Sequence, residues 1–281
     1  MSKIIAVIGA GTMGSGIAQV AAAGNSVKLI DTKEGAVQHA LTVIENSLQR
    51  LVKKAAIDQA VADSTSKRIV HSADLLNAAD ADVVIEAIFE NEAAKTDIWT
   101  RLSSICAETT LFASNTSSIS ITKLAASVKR PERFVGMHFF NPVPMMKLVE
   151  LIRGSRTSDE TVKVAAELAA AMGKTPVEAR DFPGFIANRV IMPMINEAIF
   201  AVFENVATPQ AIDDIMKLGM AHPMGPLALA DFIGLDICLA IMEVLLQGFG
   251  DSKYRPCPLL RQMVAAGKLG KKSGEGFYKY S

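Results

Sequence analysis

The sequence predicts an α/β protein in which a doubly wound sheet domain, residues 1–183, precedes an all-α domain, residues 184–281. Three observations support this fold class. Apolar segments of strand length alternate with helical segments through the first domain. A glycine-rich turn follows the first of these strands. From residue 184 onward the strands stop, and the apolar residues recur with helical spacing.

The first unit of the sheet lies in "KIIAVIGAGTMGSGIAQVAAAGNSVKLID". An apolar strand at residues 4–8 leads into the pattern GxGxxG, and a small-residue helix and a second strand, "VKLI", follow. In a dinucleotide site the first glycine permits the tight turn, the second lets the pyrophosphate approach the backbone, and the third lets helix and strand come close. The helix N-terminus offers N–H groups to the phosphates. The unit therefore predicts a Rossmann-type domain, with candidate cofactor contacts at Gly9, Gly11, Thr12, Met13 and Gly14.

Asp31, at the end of the second strand, predicts which dinucleotide is bound. A carboxylate in this position accepts hydrogen bonds from the adenosine ribose hydroxyls and repels a 2′-phosphate. NAD is therefore expected in preference to NADP, with Lys33 as the residue that would soften the preference.

Residues 36–62 are predicted to form one long helix or a helical pair, with positive charges at Arg50, Lys53 and Lys54. Taken alone, such a cluster is typical of a solvated helix face.

The middle of the chain continues the sheet. "DVVIEAIFE" is interpreted as a strand ending in Glu90, "TLFASNTSSISI" as a strand and turn, and "RFVGMHFF" and "KLVELIRG" as two further strands. Ligands of open α/β sheets bind beyond the carboxyl ends of the strands. Glu90, the "SNTSS" turn and His138 all lie at such ends, so they are candidate site residues.

His138 has two interpretations. A lone histidine beside aromatic residues is commonly a packed core residue, whereas a histidine near a carboxylate can act as a general base. The turn "NPVP" would reverse the chain after His138 and bring Glu150 back towards the imidazole. A base, its carboxylate and a hydroxyl-rich turn beside NAD are the groups that hydride removal from a secondary alcohol requires. No role is assigned to His222, which precedes a proline in a loop.

The C-terminal third is predicted to be helical throughout. Pro193 is expected to kink or break the first helix, and "DFPGFIANR" to join the domains. The abundant methionines of this region are interpreted as core or dimer contacts.

Composition excludes several classes of protein. The 281 residues contain 29 basic and 29 acidic side chains, so the chain has no electrostatic footprint for nucleic acid or membrane surfaces. Its three cysteines lack metal-ligand spacing, no apolar run is long enough to span a bilayer, and no signal peptide is recognised. We expect a soluble cytoplasmic protein without a metal site.

The ordered motifs "VIGAGTMGSGIA", "FASNTSS", "GMHFFNPVPMMKLVE", "DFPGFIANR", "HPMGPLALAD" and "GKKSGEGFYKY" cover nearly the whole chain. In this set the chain closely resembles the short-chain 3-hydroxyacyl-CoA dehydrogenases, and among them the bacterial 3-hydroxybutyryl-CoA dehydrogenases. The departures are small: Phe182 stands where a smaller residue is common, and Ala228 replaces a frequent acidic residue.

The resemblance implies a role for particular residues. The catalytic dyad falls on His138 and Glu150, and the substrate-contacting residues on Ser117 and Asn188. The CoA contacts match Ser47, Lys54 and Ser117. The basic helix is therefore expected to bind CoA, which its charge pattern alone did not indicate. Besides the glycine turn, the NAD contacts match Asp31, Glu90, Lys95, Ser117, Asn141 and Lys272.

The resemblance also implies oxidation of (S)-3-hydroxyacyl-CoA to 3-ketoacyl-CoA and its reverse. A homodimer formed through the helical domain is expected separately, because a domain this apolar should not leave its faces in water. Three alternatives stay open from the sequence. One is an NAD-dependent hydroxyacid dehydrogenase with another substrate. The second is a non-catalytic NAD-binding structural protein of the lambda-crystallin type. The third is a dimerisation or scaffold module in which the nucleotide is regulatory.

Overall fold

The computed structural model describes residues 2–33 and 35–280. These residues form two compact units, Met1–Asp181 and Phe182–Ser281, which are described separately.

The first unit is built on one eight-stranded sheet with the strand order β3-β2-β1-β4-β5-β6-β7-β8. The first six strands are parallel, β7 is antiparallel to β6, and β8 is parallel to β7. This doubly wound arrangement confirms the predicted fold class. The strands are β1 (Ile4–Ile8), β2 (Ser26–Ile30), β3 (Ile69–Ser72), β4 (Val83–Glu86), β5 (Leu111–Ser114), β6 (Phe134–Phe139), β7 (Leu148–Arg153) and β8 (Thr175–Arg180).

The two edge strands, β3 and β8, were not identified in the sequence. Both are partly exposed along their length, so neither has the continuous apolar run of a central parallel strand. Pro176 in β8 also weakens the strand pattern, although an edge strand tolerates proline. A third difference concerns β4, which ends at Glu86 instead of at Glu90.

The helices of the first unit begin at polar caps in most cases. Side chains of Asp58, Asn91, Ser120 and Ser158 accept hydrogen bonds from first-turn N–H groups of the helices that directly follow them. The helical segment predicted at residues 36–62 is a pair of helices, Ala36–Lys53 and Gln59–Lys67. The helices are α1 (Thr12–Ala21), α2 (Ala36–Lys53), α3 (Gln59–Lys67), α4 (Glu92–Ile105), α5 (Ile121–Ala125) and α6 (Asp159–Ala171), with short 3₁₀ turns at Leu75–Ala78 and Pro131–Arg133.

The core of the first unit is formed by the central strands and the inner faces of α1, α2 and α6. Strands β4, β5 and β6 are buried at every residue, as expected for strands covered on both faces. The carboxyl ends of β1, β4 and β5 therefore lie at one edge of a rigid sheet, and this edge holds most of the candidate residues.

The second unit is helical, as predicted. Its helices are α7 (Ala187–Phe203), α8 (Pro209–Gly219), α9 (Pro226–Ile233), α10 (Leu235–Phe249) and α11 (Pro258–Ala265), with 3₁₀ turns at Ser252–Tyr254 and Lys271–Ser273. Pro193 lies inside α7 and does not divide it. The apolar stretch from Leu227 to Phe249 is interrupted at Gly234, whose φ of +105° ends α9 and begins α10.

Two buried carboxylates organise the second unit. Asp213 on α8 accepts hydrogen bonds from the N–H groups of Leu227 and Ala228 and from the Tyr278 hydroxyl. Asp231 on α9 accepts from the N–H groups of Phe277 and Tyr278. The C-terminal segment is thus held to the helices by charge-assisted hydrogen bonds.

None of the helices in the described residues has the length and apolar character needed to cross a membrane. Within the same residues, no group of three or more histidine, cysteine, aspartate or glutamate side chains could hold a metal ion.

Candidate active site

The turn between β1 and α1 has the shape that a bound pyrophosphate requires. Gly9 has φ +103°, and a Cβ at this position would lie 2.6 Å from the Ala87 carbonyl oxygen. A Cβ on Gly14 would lie 1.8 Å from the Gly9 carbonyl oxygen, so no larger residue fits there. Gly11 has open space where its Cβ would be, which leaves the N-terminus of α1 accessible to a ligand.

Asp31 is held beside this turn by its own carboxylate. Its Oδ2 accepts a hydrogen bond from Ala10 N at 2.8 Å, and its Oδ1 accepts one from Lys33 N at 2.8 Å. The glycine cradle and the adjacent carboxylate fit a dinucleotide, and the acid directly after β2 fits an adenosine ribose without a 2′-phosphate. Thr12 and Met13 occupy the first turn of α1, and their contact with the cofactor stays a prediction.

His138 and Glu150 face each other across the antiparallel pair of β6 and β7. Both residues are buried, and the distance from His138 Nδ1 to Glu150 Oε2 is 2.7 Å. The Phe140 ring lies 4.7 Å from the imidazole, centroid to centroid. The strand β6 is also joined to β5 beside this pair, because Phe139 N donates to Asn115 Oδ1 at 2.9 Å. The carboxylate is therefore positioned to hold the imidazole in one orientation.

Glu90 binds the hydroxyl-rich turn that follows β5. Its Oε1 accepts hydrogen bonds from the Thr116 hydroxyl at 2.5 Å, from Ser117 N at 3.0 Å and from Ser118 N at 3.1 Å. Burial acts to raise the pKa of Glu90, but the Lys95 ammonium and these donors outweigh it, so the pKa lies below its usual value. The structure thus brings three predicted residues together, Glu90, Lys95 and Ser117.

A buried ion pair supports this group, and one of its members, Glu86, was missed in the sequence. Glu86 ends β4 and is 0% exposed; Lys95 on α4 is 1% exposed, and its Nζ lies 2.5 Å from Glu86 Oε1. The other Glu86 oxygen accepts from the Ser114 hydroxyl at 2.7 Å. The acidic residue at the end of "VVIE" could have indicated this site. It was not recognised because the strand was predicted to continue to Glu90. Lys95 is enclosed by protein groups, so its contact with the cofactor stays a prediction.

A cavity of about 320 Å³ lies between α1, α2 and the segment that joins β6 to β7. Four predicted residues line it: Ser47 and Lys54, expected to contact CoA, and Thr12 and Asn141, expected to contact the cofactor. The other lining residues are Ser15, Gly16, Gln19, Val43, Ile44, Arg50, Leu51, Pro142, Val143, Pro144 and Met145. Arg50 was visible in the sequence only as part of a basic helix face. Its position places a second cationic side chain on the wall that carries Lys54.

Two predicted residues belong to the second unit. Asn188 lies in the first turn of α7. Lys272 lies in a 3₁₀ turn, and its Nζ is 2.6 Å from the Asp236 carboxylate at the start of α10. Their roles toward substrate and cofactor stay predictions.

Comparison with known proteins identifies both units. Residues 4–182 match the model of the 3-hydroxyacyl-CoA dehydrogenase NAD binding domain, and residues 184–280 match that of the C-terminal domain of the same family. A Bacillus subtilis protein named "Probable 3-hydroxybutyryl-CoA dehydrogenase" is 59% identical over 279 residues, which are 99% of this chain and 97% of that protein. The Bradyrhizobium diazoefficiens 3-hydroxybutyryl-CoA dehydrogenase is 51% identical over 99% of this chain and 95% of its own length.

A solved structure gives the same result. The crystal structure of (S)-3-hydroxybutyryl-CoA dehydrogenase from Ralstonia eutropha superposes with a TM-score of 0.97 at 50% identity and covers 100% of both chains. The chain is therefore an NAD-dependent dehydrogenase and belongs to the 3-hydroxyacyl-CoA dehydrogenase family.

Proposed function

We propose that this enzyme interconverts (S)-3-hydroxybutyryl-CoA and acetoacetyl-CoA, with His138 as general base and Glu150 as the residue that orients it. The observation that carries the proposal is the buried His138–Glu150 hydrogen bond at 2.7 Å. Relatives with 3-hydroxybutyryl-CoA dehydrogenase in their names, matched over nearly their full length, support the choice of substrate.

The geometry of the His138–Glu150 pair indicates which ring nitrogen accepts the substrate proton. Because Nδ1 is hydrogen-bonded to Glu150, Nε2 is the ring nitrogen that would accept the proton of the C3 hydroxyl. As the C3–H bond breaks with its electron pair, the O–H electrons form the C3 carbonyl and the proton passes to His138. Glu150 then stabilises the imidazolium by a charge-assisted hydrogen bond. In the reverse direction His138 returns the proton to the C3 oxygen.

NAD, when bound, supplies the hydride acceptor. The glycine turn would hold its pyrophosphate and Asp31 its adenosine ribose, for the reasons given by their geometry. Glu90, Lys95, Ser117, Asn141 and Lys272 are the further contacts that the family resemblance implies. Ser117 would also donate a hydrogen bond to the C3 oxygen, and Asn188 would help to fix the substrate.

The cavity beside α2 is the proposed site for part of CoA. Lys54 would attract a CoA phosphate, and Ser47 would donate a hydrogen bond near it. Arg50 on the same wall adds a second positive charge, so the cavity suits a phosphorylated ligand.

We also infer a homodimer through the second unit. Large apolar side chains remain exposed on its helices, among them Val190 at 65%, Leu218 at 86% and Phe232 at 58%. Exposed apolar side chains of this size favour an interface when they lie together, and a second copy of the chain is the partner that we propose.

A steady-state assay tests the proposed function. The purified protein should oxidise NADH when acetoacetyl-CoA is added, and in the reverse direction it should use the (S) but not the (R) epimer of 3-hydroxybutyryl-CoA. NADH binding without turnover would contradict the proposal and favour a structural role of the lambda-crystallin type. Turnover of a free hydroxyacid in preference to the thioester would indicate a different substrate.

A further inference from the structure

Lys174 is a buried lysine outside the groups assigned so far. It lies between α6 and β8, after Gly173, and its backbone N–H donates to the Ala169 carbonyl at 3.0 Å. The residue is only 8% exposed. Lysine is rarely buried to this extent without a partner for its charge, because removing an ammonium from water is costly.

The partners of the ammonium are two backbone carbonyls. Lys174 Nζ donates to the Val143 carbonyl at 2.5 Å and to the Met146 carbonyl at 2.8 Å. Among the described residues, no carboxylate lies within ion-pair distance of it. Burial lowers the pKa of Lys174. The positive charge is therefore stabilised by hydrogen bonds to one short segment of main chain.

That segment, residues 141–146, is named the cavity loop here because residues 141–145 line the cavity assigned to CoA. Pro142 and Pro144 have no N–H, so the loop has few backbone donors with which to hold itself. Within it, the N–H groups of Met145 and Met146 both donate to the Pro142 carbonyl at 3.0 Å. The carbonyls of Val143 and Met146 receive their hydrogen bonds from Lys174, which fastens the loop to the turn before β8.

The loop also has a fixed position relative to α1. Val143 is 2% exposed, and a Cβ built on Gly16 would lie 2.8 Å from the Val143 Cβ. Val143 therefore packs directly against α1 at Gly16, and no space is left between the helix and the loop at this point. A small outward movement of the loop would widen the cavity and separate its two walls.

We propose that Lys174 is a positioning residue for the CoA part of the substrate: its buried ammonium holds the cavity loop at the distance from α2 that the ligand needs. The proposal rests on the proposed function, because the cavity is assigned to CoA there. Lys174 itself does not contact the reacting atoms, since it acts through the main chain of Val143 and Met146.

Steady-state kinetics at saturating NADH test this role. Lys174→Met keeps the length of the side chain but removes the charge and the donors. We expect it to raise KM for acetoacetyl-CoA about tenfold while kcat stays within about twofold, the scale of one lost charge-assisted hydrogen bond. Lys174→Arg, which retains charge and donors, should recover most of the loss. KM for acetoacetyl-pantetheine, which has no nucleotide part, should change little.

Lys163→Met is the matched control, because Lys163 is exposed on α6 and the chemical change is the same. If Lys174→Met is insoluble, Lys174→Gln replaces it, and KM for acetoacetyl-CoA should again rise. A lower melting temperature with unchanged KM, or equal losses with both thioesters, would overturn the proposal. An inactive wild type would instead contradict the proposed function itself.

Discussion

His138 on β6 and Glu150 on β7 are direct partners in the antiparallel register, and the two side chains meet at 2.7 Å between Nδ1 and Oε2. The relationship depends on the pairing of two buried strands and not on the conformation of a loop. A side chain fixed in this way loses little freedom when the reaction occurs, which is the condition for efficient proton transfer.

Removing either member of the pair should abolish most of the activity. We expect His138→Ala to lower kcat by about two to four orders of magnitude, because the proton acceptor is gone. Glu150→Gln should have a similar effect, since the amide cannot stabilise the imidazolium. NADH binding, measured by fluorescence titration, should survive in both variants. The control His39→Ala changes an exposed histidine on α2 and should leave kcat unaltered. Near-normal turnover in either dyad variant would refute the mechanism.

Asp31 should determine cofactor preference. The wild type is expected to favour NADH over NADPH in kcat/KM. Asp31→Ser removes the charge that repels a 2′-phosphate but keeps an oxygen that can accept from Ala10 N, so the ratio of the two kcat/KM values should fall by at least about tenfold. If the wild type already prefers NADPH, the interpretation of Asp31 is wrong, and Lys33 becomes the residue to test.

Lys54 should act on the CoA part of the substrate alone. We expect Lys54→Ala to raise KM for acetoacetyl-CoA by about tenfold, because a phosphate loses its cationic partner. Added salt should weaken binding to the wild type more than to the variant, since salt screens the charge. Both should handle acetoacetyl-pantetheine equally well. Lys53→Ala, the exposed neighbour that does not line the cavity, is the control. Equal impairment with both substrates would restore the solvated-face interpretation.

The second unit should carry the dimer contact. Sedimentation velocity at micromolar concentration should show a dimer, and Phe232→Glu or Ile237→Glu should shift it towards monomer, because each places a charge on an exposed apolar side chain of α9 or α10. Val70→Glu, at an equally exposed position on β3, should leave the dimer intact. A monomeric wild type would exclude the inference.

Glu86 and Lys95 should matter to stability far more than an exposed pair does. Glu86→Ala removes the nearer of the two carboxylates that pair with the buried Lys95 ammonium, and only Glu90, at 3.4 Å, remains. It should lower the free energy of unfolding by up to about 3–5 kcal/mol. Adding Lys95→Met should recover part of that loss in urea denaturation. Asp80→Asn, which breaks the exposed Lys28–Asp80 pair, should cost less than about 1 kcal/mol. Equal losses in the two single variants would contradict the argument.

The sequence predicts the parts of the fold that have strong local patterns. The glycine turn and Asp31 could be identified because they directly follow apolar strands. The strands around His138 and Glu150 could be identified because each is an apolar run interrupted by one ionisable residue. Glu86 could not be assigned, because its importance comes from Lys95 and Ser114, which reach it only in the folded sheet. Lys174 was equally inconspicuous, since its partners are carbonyls and carry no sequence signal. The split at Gly234 was hidden by apolar residues on both sides.

Helix α1 has a consequence for redesign of this enzyme. Its first turn belongs to the proposed cofactor site, whereas Ser15, Gly16 and Gln19 form a wall of the cavity assigned to CoA. Because Gly16 leaves no space between α1 and Val143, a shift of the helix made to accept another dinucleotide would also alter the cavity assigned to CoA. Engineers who wish to exchange the cofactor without losing the substrate should therefore vary the end of β2 and keep α1 unchanged.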